Sequence, residues 1–247
     1  MKATRQRIMR YAIIAAGEGS RLAQEGVREP KPLVKVGEET LIDRLLRIFM
    51  DNGAEEIAVI CNDMTTLVSK HLEEIRQQGL GGRQVPLRYI VKSTPSSLHS
   101  FYELTSLLGN GKFVLTTVDT IFREDEFARF VRDFEASDAD GCFPVTDFID
   151  DEKPLYVGVG DDMTIGGFYD EPHGCRYISA GIYGLRSSAK DIARQQIEQG
   201  TSRMRNFQRA LVAAGLTIKA HPFSKVLDID HREDIKKAEE LLNQQSR

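Results

Sequence analysis

Short apolar runs alternate with amphipathic segments along the first half of the chain. The runs have the length and composition of buried strands, and they lie at residues 11–15, 57–61, 87–91 and 112–118. The segments between them repeat apolar side chains at helical spacing, and they lie at residues 41–53, 65–79 and 96–109. Such strict alternation of strand and helix predicts a parallel sheet with helices on both faces.

The pattern changes after about residue 141. Shorter and less regular strands are predicted at residues 141–145, 155–159, 163–169 and 177–185, and a last strand at 225–229. Helices are predicted near 189–199 and 203–214, with a closing helix over 232–245. Because this half is mixed, we expect an antiparallel extension of the same sheet. The predicted fold class is therefore α/β, a Rossmann-like three-layer α/β/α arrangement in one domain over 1–247.

Composition excludes several classes of function. The chain has 247 residues, 41% hydrophobic and 28% charged, with a formal net charge of −4, so neither nucleic acid nor an anionic membrane is expected as a partner. The basic start MKATRQRIMR lacks the apolar run of a signal peptide, and no stretch reaches the ~20 apolar residues of a membrane span. Cys61, Cys142 and Cys175 are widely spaced, which favours packing roles in a reducing cytoplasm.

The stretch IIAAGEGSRL follows the first predicted strand and places two glycines just before Arg21. It lacks the third glycine of a dinucleotide fingerprint, because Leu22 stands there, and it lacks the Gly-Lys-Ser/Thr of a phosphate-binding P-loop. Backbone N–H groups of such a turn can hold an anion, and a guanidinium can bind phosphate oxygens. Ten residues on, Lys31 lies between two prolines that stiffen its loop. The pattern predicts a loop that wraps a nucleoside triphosphate.

Acidic residues end two of the predicted strands. By the strand period of two, Asp119 ends a buried strand at its carboxyl edge, where open parallel sheets bind ligands. In the last strand, Asp228 and Asp230 share one face, and two adjacent carboxylates repel unless a cation lies between them. Asp230 also fits a capping box with Glu233, and Asp234 is interpreted as a helix-start residue.

The residues AAGEGSRL, PKPLVKV and LIDRLL together resemble the sugar-1-phosphate nucleotidyltransferases and related alcohol-phosphate and molybdopterin nucleotidyltransferases. The resemblance implies the nucleotide-diphospho-sugar transferase fold, with residues of about 11–140 binding the nucleotide and those of about 141–247 binding the acceptor. It implies that a triphosphate is held by Ala15, Ala16, Gly17, Gly19, Ser20 and Arg21. It further implies that Lys31 neutralises the triphosphate and that Asp119, Asp228 and Asp230 bind Mg²⁺.

The resemblance also indicates where base and acceptor would be recognised. STPSSLHS stands where the family reads the base, so Ser96 and Ser97 are candidate base-binding residues. FYDEPHGCRYISAGIYGL is similar to the family's acceptor segment, which predicts acceptor contacts from Glu171, Ser179 and Gly181. The family's lysine between Glu171 and Pro172 is absent, so another cation must hold the acceptor phosphate. The candidates are Lys153, Arg176 and Lys225, with Lys225 preferred.

The expected function is Mg²⁺-dependent transfer of a nucleoside monophosphate from an NTP to a sugar-1-phosphate, with release of pyrophosphate. Three alternatives stay open: a cytidylyltransferase acting on a phosphorylated alcohol such as choline phosphate, a glycosyltransferase of the same architecture, and a non-catalytic nucleotide-binding module. The missing lysine and the Asp-Ile-Asp ending favour the first alternative. The sequence does not identify the base, the acceptor or whether the chain forms a homo-oligomer.

Overall fold

The computed structural model describes residues 9–150 and 152–243. The basic start of the chain up to residue 8 and residues 244 and 245 of the predicted closing helix lie outside the described residues. The strands are β1 (Met9–Ala15), β2 (Lys35–Val36), β3 (Glu39–Thr40), β4 (Ala54–Cys61), β5 (Leu87–Val91), β6 (Lys112–Thr117), β7 (Thr120–Phe122), β8 (Gly141–Thr146), β9 (Tyr156–Val159), β10 (Ile165–Tyr169), β11 (Tyr177–Ser179), β12 (Ile182–Arg186), β13 (Ile218–Phe223) and β14 (Val226–Asp228). The helices are α1 (Ser20–Gln24), α2 (Leu41–Asp51), α3 (Thr66–Gln78), α4 (Ser97–Leu104), α5 (Glu124–Ala136), α6 (Ser188–Glu198), α7 (Met204–Ala213) and α8 (Arg232–Asn243).

A ten-stranded mixed sheet forms the middle layer. Its strand order is β10-β9-β11-β8-β12-β6-β1-β4-β5, and β13 pairs with β8 off this path. Strands β6, β1, β4 and β5 are parallel, as the alternation of strands and helices predicts. Strand β12 runs antiparallel to both β6 and β8, and the strands beyond it form the predicted antiparallel extension.

Alternation along β1 divides the core between the two faces of the sheet. Tyr11 and Ile13 face one core with helices α2, α3, α5 and α8, whereas Ala12 and Ile14 face the other core with helices α4, α6 and α7. Each helix buries an apolar stripe against its face, which removes that surface from water. The three-layer α/β/α fold predicted from the sequence is confirmed.

Two strand pairings were not predicted. Strand β13 follows α7 and pairs in parallel with β8, although Pro222 within it has no backbone N–H to donate. The short strand β7 lies just after Asp119 and pairs antiparallel with β14 in a separate two-stranded sheet. Three-residue strands carry too little periodicity to be read from sequence. No helix among the described residues is long and apolar enough to cross a membrane.

Gly184 in β12 provides a test of the packing at the centre of the sheet. A Cβ at this position would lie 2.8 Å from Phe134 Cδ1 and 2.9 Å from the Cys142 carbonyl oxygen. Since a backbone oxygen cannot move aside cheaply, Gly184→Ala should lower the free energy of unfolding by about 1–3 kcal/mol in urea denaturation. Gly166→Ala is the control, because its Cβ would meet only the Gly158 carbonyl oxygen at 3.9 Å. Equal unfolding free energies for the two variants would contradict this packing.

Candidate active site

The glycine-rich loop lies between β1 and α1 and approaches Lys31 closely. Gly19 has a φ of 63°, a left-handed conformation that glycine adopts most readily. A Cβ on Gly19 would lie 3.0 Å from the Lys31 Cβ, whereas one on Gly17 would have no neighbour within 4 Å. Gly19 therefore serves both the turn and the close contact with Lys31.

Lys31 opens a single 3₁₀ turn, Lys31–Leu33, that follows Pro30. The Leu33 N–H donates to the Pro30 carbonyl at 2.7 Å, and the Val34 N–H donates to the Lys31 carbonyl at 3.1 Å. The loop is thus held as the two prolines predict, and the Lys31 side chain is only 10% exposed.

The sheet formed by β7 and β14 brings the acidic residues together. In its register Asp228 lies opposite Thr120, and the Ile229 N–H donates to the Asp119 carbonyl at 3.1 Å. Residues more than a hundred positions apart in sequence thus meet at the carboxyl end of β6. This is the edge where the parallel part of the sheet is expected to bind ligands.

Helix α8 is anchored so that Asp230 is free for other contacts. The Asp234 carboxylate accepts the N–H groups of Asp230 at 3.1 Å and His231 at 2.7 Å, which is the reaching-back half of a capping box. Glu25, just after α1, accepts the Arg232 N–H at 2.6 Å and lies 2.6 Å from His231 Nδ1. The predicted helix-start role of Asp234 agrees with this geometry, so capping does not occupy the Asp230 carboxylate.

Two cations and two carboxylates form one charge cluster. The Lys31 ammonium contacts the Asp119 carboxylate and lies 2.8 Å from Asp230 Oδ1. Arg21 Nη1 lies 3.0 Å from the other oxygen, Asp230 Oδ2. The cluster joins the front, the middle and the tail of the chain, as the sequence predicts. We refer to Arg21, Lys31, Asp119 and Asp230 as the charge cluster.

The charge cluster shifts the protonation of its members. Burial favours the neutral form of Lys31, but the charges of Asp119 and Asp230 outweigh it and raise the pKa of Lys31. For Asp230, burial is likewise outweighed, here by Lys31 and then Arg21, so the pKa of Asp230 is lowered. Asp228 is exposed to solvent on one side. Desolvation by the protein around it, and then the negative charge of Asp119, raise the pKa of Asp228 to about 8.

A cavity of about 490 Å³ opens beside the glycine-rich loop, and we call it the first cavity. It is lined by Ile14, Ala16, Gly17, Glu18, Gly19, Ser20, Arg21, Lys31, Thr94, Pro95, Ser96, Ser97, Ser100, Thr117, Val118, Asp119 and Asp230. Most of the predicted nucleotide-binding residues are therefore brought together here. Ala15 is the exception, because alternation along β1 turns its side chain into the core, where it is 1% exposed.

The wall opposite the loop carries hydroxyl groups that sequence reasoning only partly identified. Ser96 and Ser97 line it as predicted, at the start of α4. Thr94 and Ser100 line it too, and their hydroxyl oxygens lie 2.6 Å apart. The His99 ring lies 2.9 Å from the Ser96 hydroxyl through Nδ1, and the ring is not part of the lining.

A cavity of about 430 Å³ adjoins the first one and shares Arg21 and Asp230 with it; we call it the second cavity. It is lined by Arg21, Thr146, Phe148, Asp150, Glu152, Lys153, Ile178, Ser179, Ala180, Arg205, Val226, Leu227, Asp228, Asp230, His231, Glu233, Asp234 and Lys237. Asp228 and Ser179 thus face this space. The charge cluster lies at the junction between the two cavities.

Three of the predicted acceptor residues lie outside the lining of the second cavity. Glu171 is exposed in the turn after β10. Gly181 has a φ of 71° in the short link between β11 and β12, which its glycine identity permits. The Lys225 ammonium lies over the Phe148 ring, 4.2 Å from its centroid.

The cations that do line the second cavity differ from those preferred from sequence. Lys153 lines it, whereas Arg176 pairs with Asp147 at 3.0 Å on an exposed surface. Arg205 on α7 and Lys237 on α8 also line it, and neither was predicted. Their positions follow from the packing of the two helices, which no local sequence signal shows.

The predicted metal ligands do not form a complete metal site of protein atoms. Within residues 9–150 and 152–243, no three His, Cys, Asp or Glu side chains lie close enough together to hold a metal ion. Asp119 and Asp230 nevertheless converge on one cation, the Lys31 ammonium. The structure therefore provides a two-carboxylate position rather than a cage of three protein ligands.

An α/β sheet that presents a glycine-rich loop, two cations and two carboxylates at one edge has the features of a polyphosphate-binding protein. A family model, Nucleotidyl transferase, matches residues 11–244. The chain belongs to this nucleotidyl transferase family.

The chain is also similar to parts of two larger proteins. The chain is 28% identical over 152 residues to the bifunctional IPC transferase and DIPP synthase of Thermococcus kodakarensis, covering 62% of this chain and 30% of that protein. It is 27% identical over 203 residues to the CMP-5'-(3-aminopropyl)phosphonate synthase of Streptomyces rubellomurinus, covering 73% of this chain and 28% of that protein. The chain thus spans less than a third of the length of these curated relatives.

The fold itself is shared with structures of much lower identity. The inositol-1-phosphate CTP transferase of T. maritima superposes with a TM-score of 0.79 at 17% identity, covering 98% of this chain and 97% of that chain. A UDP-glucose pyrophosphorylase complexed with UDP-glucose gives a TM-score of 0.79 at 15% identity, covering 97% of this chain and all of that chain.

The raised pKa of Asp228 predicts a pH-dependent cost to stability. The folded state binds this proton more tightly than the unfolded state, whose carboxyl titrates near pH ~4. The stability from this group is therefore complete below pH ~4 and is lost as the pH rises towards about 8. In buffer with EDTA, Asp228→Asn should have a higher melting temperature than the wild type at pH 8, with the gap closing towards pH 5.

Asp162→Asn is the control of opposite sign. Asp162 accepts hydrogen bonds from Lys219 and Thr164, which lower its pKa, so its carboxylate stabilises the fold above the unfolded pKa. This variant should melt lower than the wild type at pH 8. An Asp228→Asn protein that melts at or below the wild-type temperature at pH 8 would contradict the electrostatic description of the site.

Proposed function

We propose that the chain transfers a nucleoside monophosphate from an NTP to a sugar-1-phosphate, releasing pyrophosphate and forming an NDP-sugar. The observation that carries the proposal is the position of the charge cluster between two adjoining cavities. Both cavities lie in the size range of small-molecule sites. The NTP occupies the first cavity and the acceptor the second, with their phosphates meeting at Arg21 and Asp230.

The chemistry requires positioning and charge neutralisation from the protein. A phosphate oxygen of the acceptor attacks the α-phosphorus of the NTP in line, the bond from that phosphorus to the β-phosphate oxygen breaks, and pyrophosphate leaves. No protein nucleophile is needed, because two substrates held in adjoining cavities gain the advantage of proximity. Arg21 and Lys31 stabilise the negative charge that develops on the leaving pyrophosphate.

The residues present fit a bound Mg²⁺ ion. This ion is commonly held by one or two carboxylates together with substrate phosphates and water, rather than by an all-protein cage. Asp119 and Asp230 provide two such carboxylates, and Asp228 lies close enough for the Asp119 charge to raise its pKa. When bound, Mg²⁺ would neutralise and orient the phosphate groups. We propose Asp119 and Asp230 as its ligands, with Asp228 adjacent.

A second candidate acceptor is a phosphorylated alcohol, with CTP as the nucleotide donor. Two observations favour it: the lysine absent between Glu171 and Pro172, and the name of the T. maritima structure, an inositol-1-phosphate CTP transferase. The glycosyltransferase alternative loses support, because the family model that matches the chain is that of the nucleotidyl transferases.

Pyrophosphate release tests the proposed activity. The purified chain is incubated with Mg²⁺, each of the common NTPs, and a panel of sugar-1-phosphates, inositol-1-phosphate and choline phosphate. We expect release that requires both an NTP and a phosphorylated acceptor. Release with an NTP alone would indicate hydrolysis, and no release with any pair would favour a non-catalytic nucleotide-binding module.

Lys31→Met tests the charge cluster within this activity. Removing a preorganised charge-stabilising group typically costs ~10²-fold or more in kcat, and we expect a loss of that size. Lys35→Met is the matched control, because Lys35 is an exposed lysine on β2 in the same loop region. Wild-type turnover by Lys31→Met would remove Lys31 from the machinery.

A further inference from the structure

Ser179 lines the second cavity, and its hydroxyl proton is donated to another residue of the protein. Its N–H donates to the Leu155 carbonyl at 2.8 Å, which fixes the backbone at the end of β11. Its hydroxyl donates to Gln208 Oε1 at 2.9 Å. Gln208 lies on α7 and is only 2% exposed, so this polar contact is built into the core beneath the cavity wall.

The other end of the Gln208 amide explains its orientation. Gln208 Nε2 donates to the Tyr183 hydroxyl at 3.4 Å. Burial, and then the charge of Asp228, raise the pKa of Tyr183, so the group is a neutral phenol. Its oxygen has lone pairs that accept the Gln208 N–H. With Nε2 directed to Tyr183, the amide carbonyl is left for Ser179.

The orientation decides what Ser179 can recognise. A serine hydroxyl has one proton and two lone pairs. Because the proton is donated to Gln208, only lone pairs remain for a molecule in the second cavity. Such lone pairs can accept from a hydrogen-bond donor, such as a hydroxyl group, and would repel a phosphate oxygen. A cation for the acceptor phosphate is available in Arg21, which lines both cavities.

We propose that Gln208 is a positioning residue that holds Ser179 as a hydrogen-bond acceptor, so that the second cavity selects phosphorylated acceptors carrying a hydroxyl group at this wall over analogues that lack that hydroxyl. The proposal rests on the proposed function, since it assigns the acceptor to the second cavity.

The test compares acceptor analogues that differ by one hydroxyl. Steady-state constants are measured for the best acceptor of the pyrophosphate assay, for its monodeoxy analogues and for its monodeoxyfluoro analogues. A site that binds a substrate hydroxyl rejects the analogue lacking it, because a polar group is left unpaired. We expect one deoxy position to lower kcat/KM by about 10-fold or more, mainly through KM. Fluorine accepts but does not donate, so the fluoro analogue at that position should lose as much.

Three variants connect this loss to the two residues. In Ser179→Ala the difference between the acceptor and its deoxy analogue should fall to about 2-fold or less, as expected when the partner hydroxyl is removed. Gln208→Met, close in volume but without an amide, frees the Ser179 hydroxyl and should also reduce the difference. Gln208→Glu keeps an oxygen that accepts from Ser179 and should retain it. Melting temperatures establish which variants are folded.

The outcomes separate this inference from the proposed function. No pyrophosphate release with any pair of substrates sinks the proposed function. Turnover with sugar or inositol phosphates in which Ser179→Ala leaves the deoxy penalty unchanged overturns the inference alone. So does a fluoro analogue that retains wild-type kcat/KM, because that result requires Ser179 to donate.

Discussion

The ion pair of Lys31 with two carboxylates is the interaction on which the rest of the site depends. Removing three charged groups from bulk water is costly unless they compensate one another, and here one ammonium serves both Asp119 and Asp230. The positive charge of Lys31 offsets the repulsion between the two carboxylates. The ion pairs of Lys31 are with Asp119 and Asp230. The pKa of Asp228 is raised by the surrounding protein and then by the charge of Asp119. A bound polyphosphate with its metal would supply both an anion for Lys31 and a cation for the acids.

Several local features of the fold position the four side chains of the charge cluster. Gly19 adopts a left-handed turn at a position where a Cβ would lie only 3.0 Å from the Lys31 Cβ. The pairing of β7 with β14 carries the tail of the chain to the end of β6, and Glu25 joins the start of α8 to the end of α1. Because the same charge cluster borders both cavities, a nucleotide and an acceptor bound there would meet without a large movement of the protein.

The sequence predicted what local patterns encode, and it missed what depends on packing. The parallel core and the glycine-rich loop were predicted from periodicity and strand ends, and the convergence of Arg21, Lys31, Asp119 and Asp230 was implied by the family resemblance. The hydroxyls of Thr94 and Ser100 and the buried Gln208 were missed, since no local pattern shows which polar residues lie in a cavity wall or contact it from the core. Lys225 was preferred for its charge, yet its ammonium lies over the Phe148 ring. Arg205 and Lys237 reach the second cavity only because α7 and α8 pack beside it.

The most direct measurement is a crystal structure of the protein with Mg²⁺, a non-hydrolysable analogue of the nucleotide it uses, and its phosphorylated acceptor. The account predicts the triphosphate in the first cavity, with Lys31 moved from the carboxylates onto phosphate oxygens and the metal held by Asp119 and Asp230. The acceptor should lie in the second cavity with its phosphate beside Arg21. A triphosphate bound away from the glycine-rich loop, or a Lys31 that still bridges Asp119 and Asp230 in the full complex, would contradict the account.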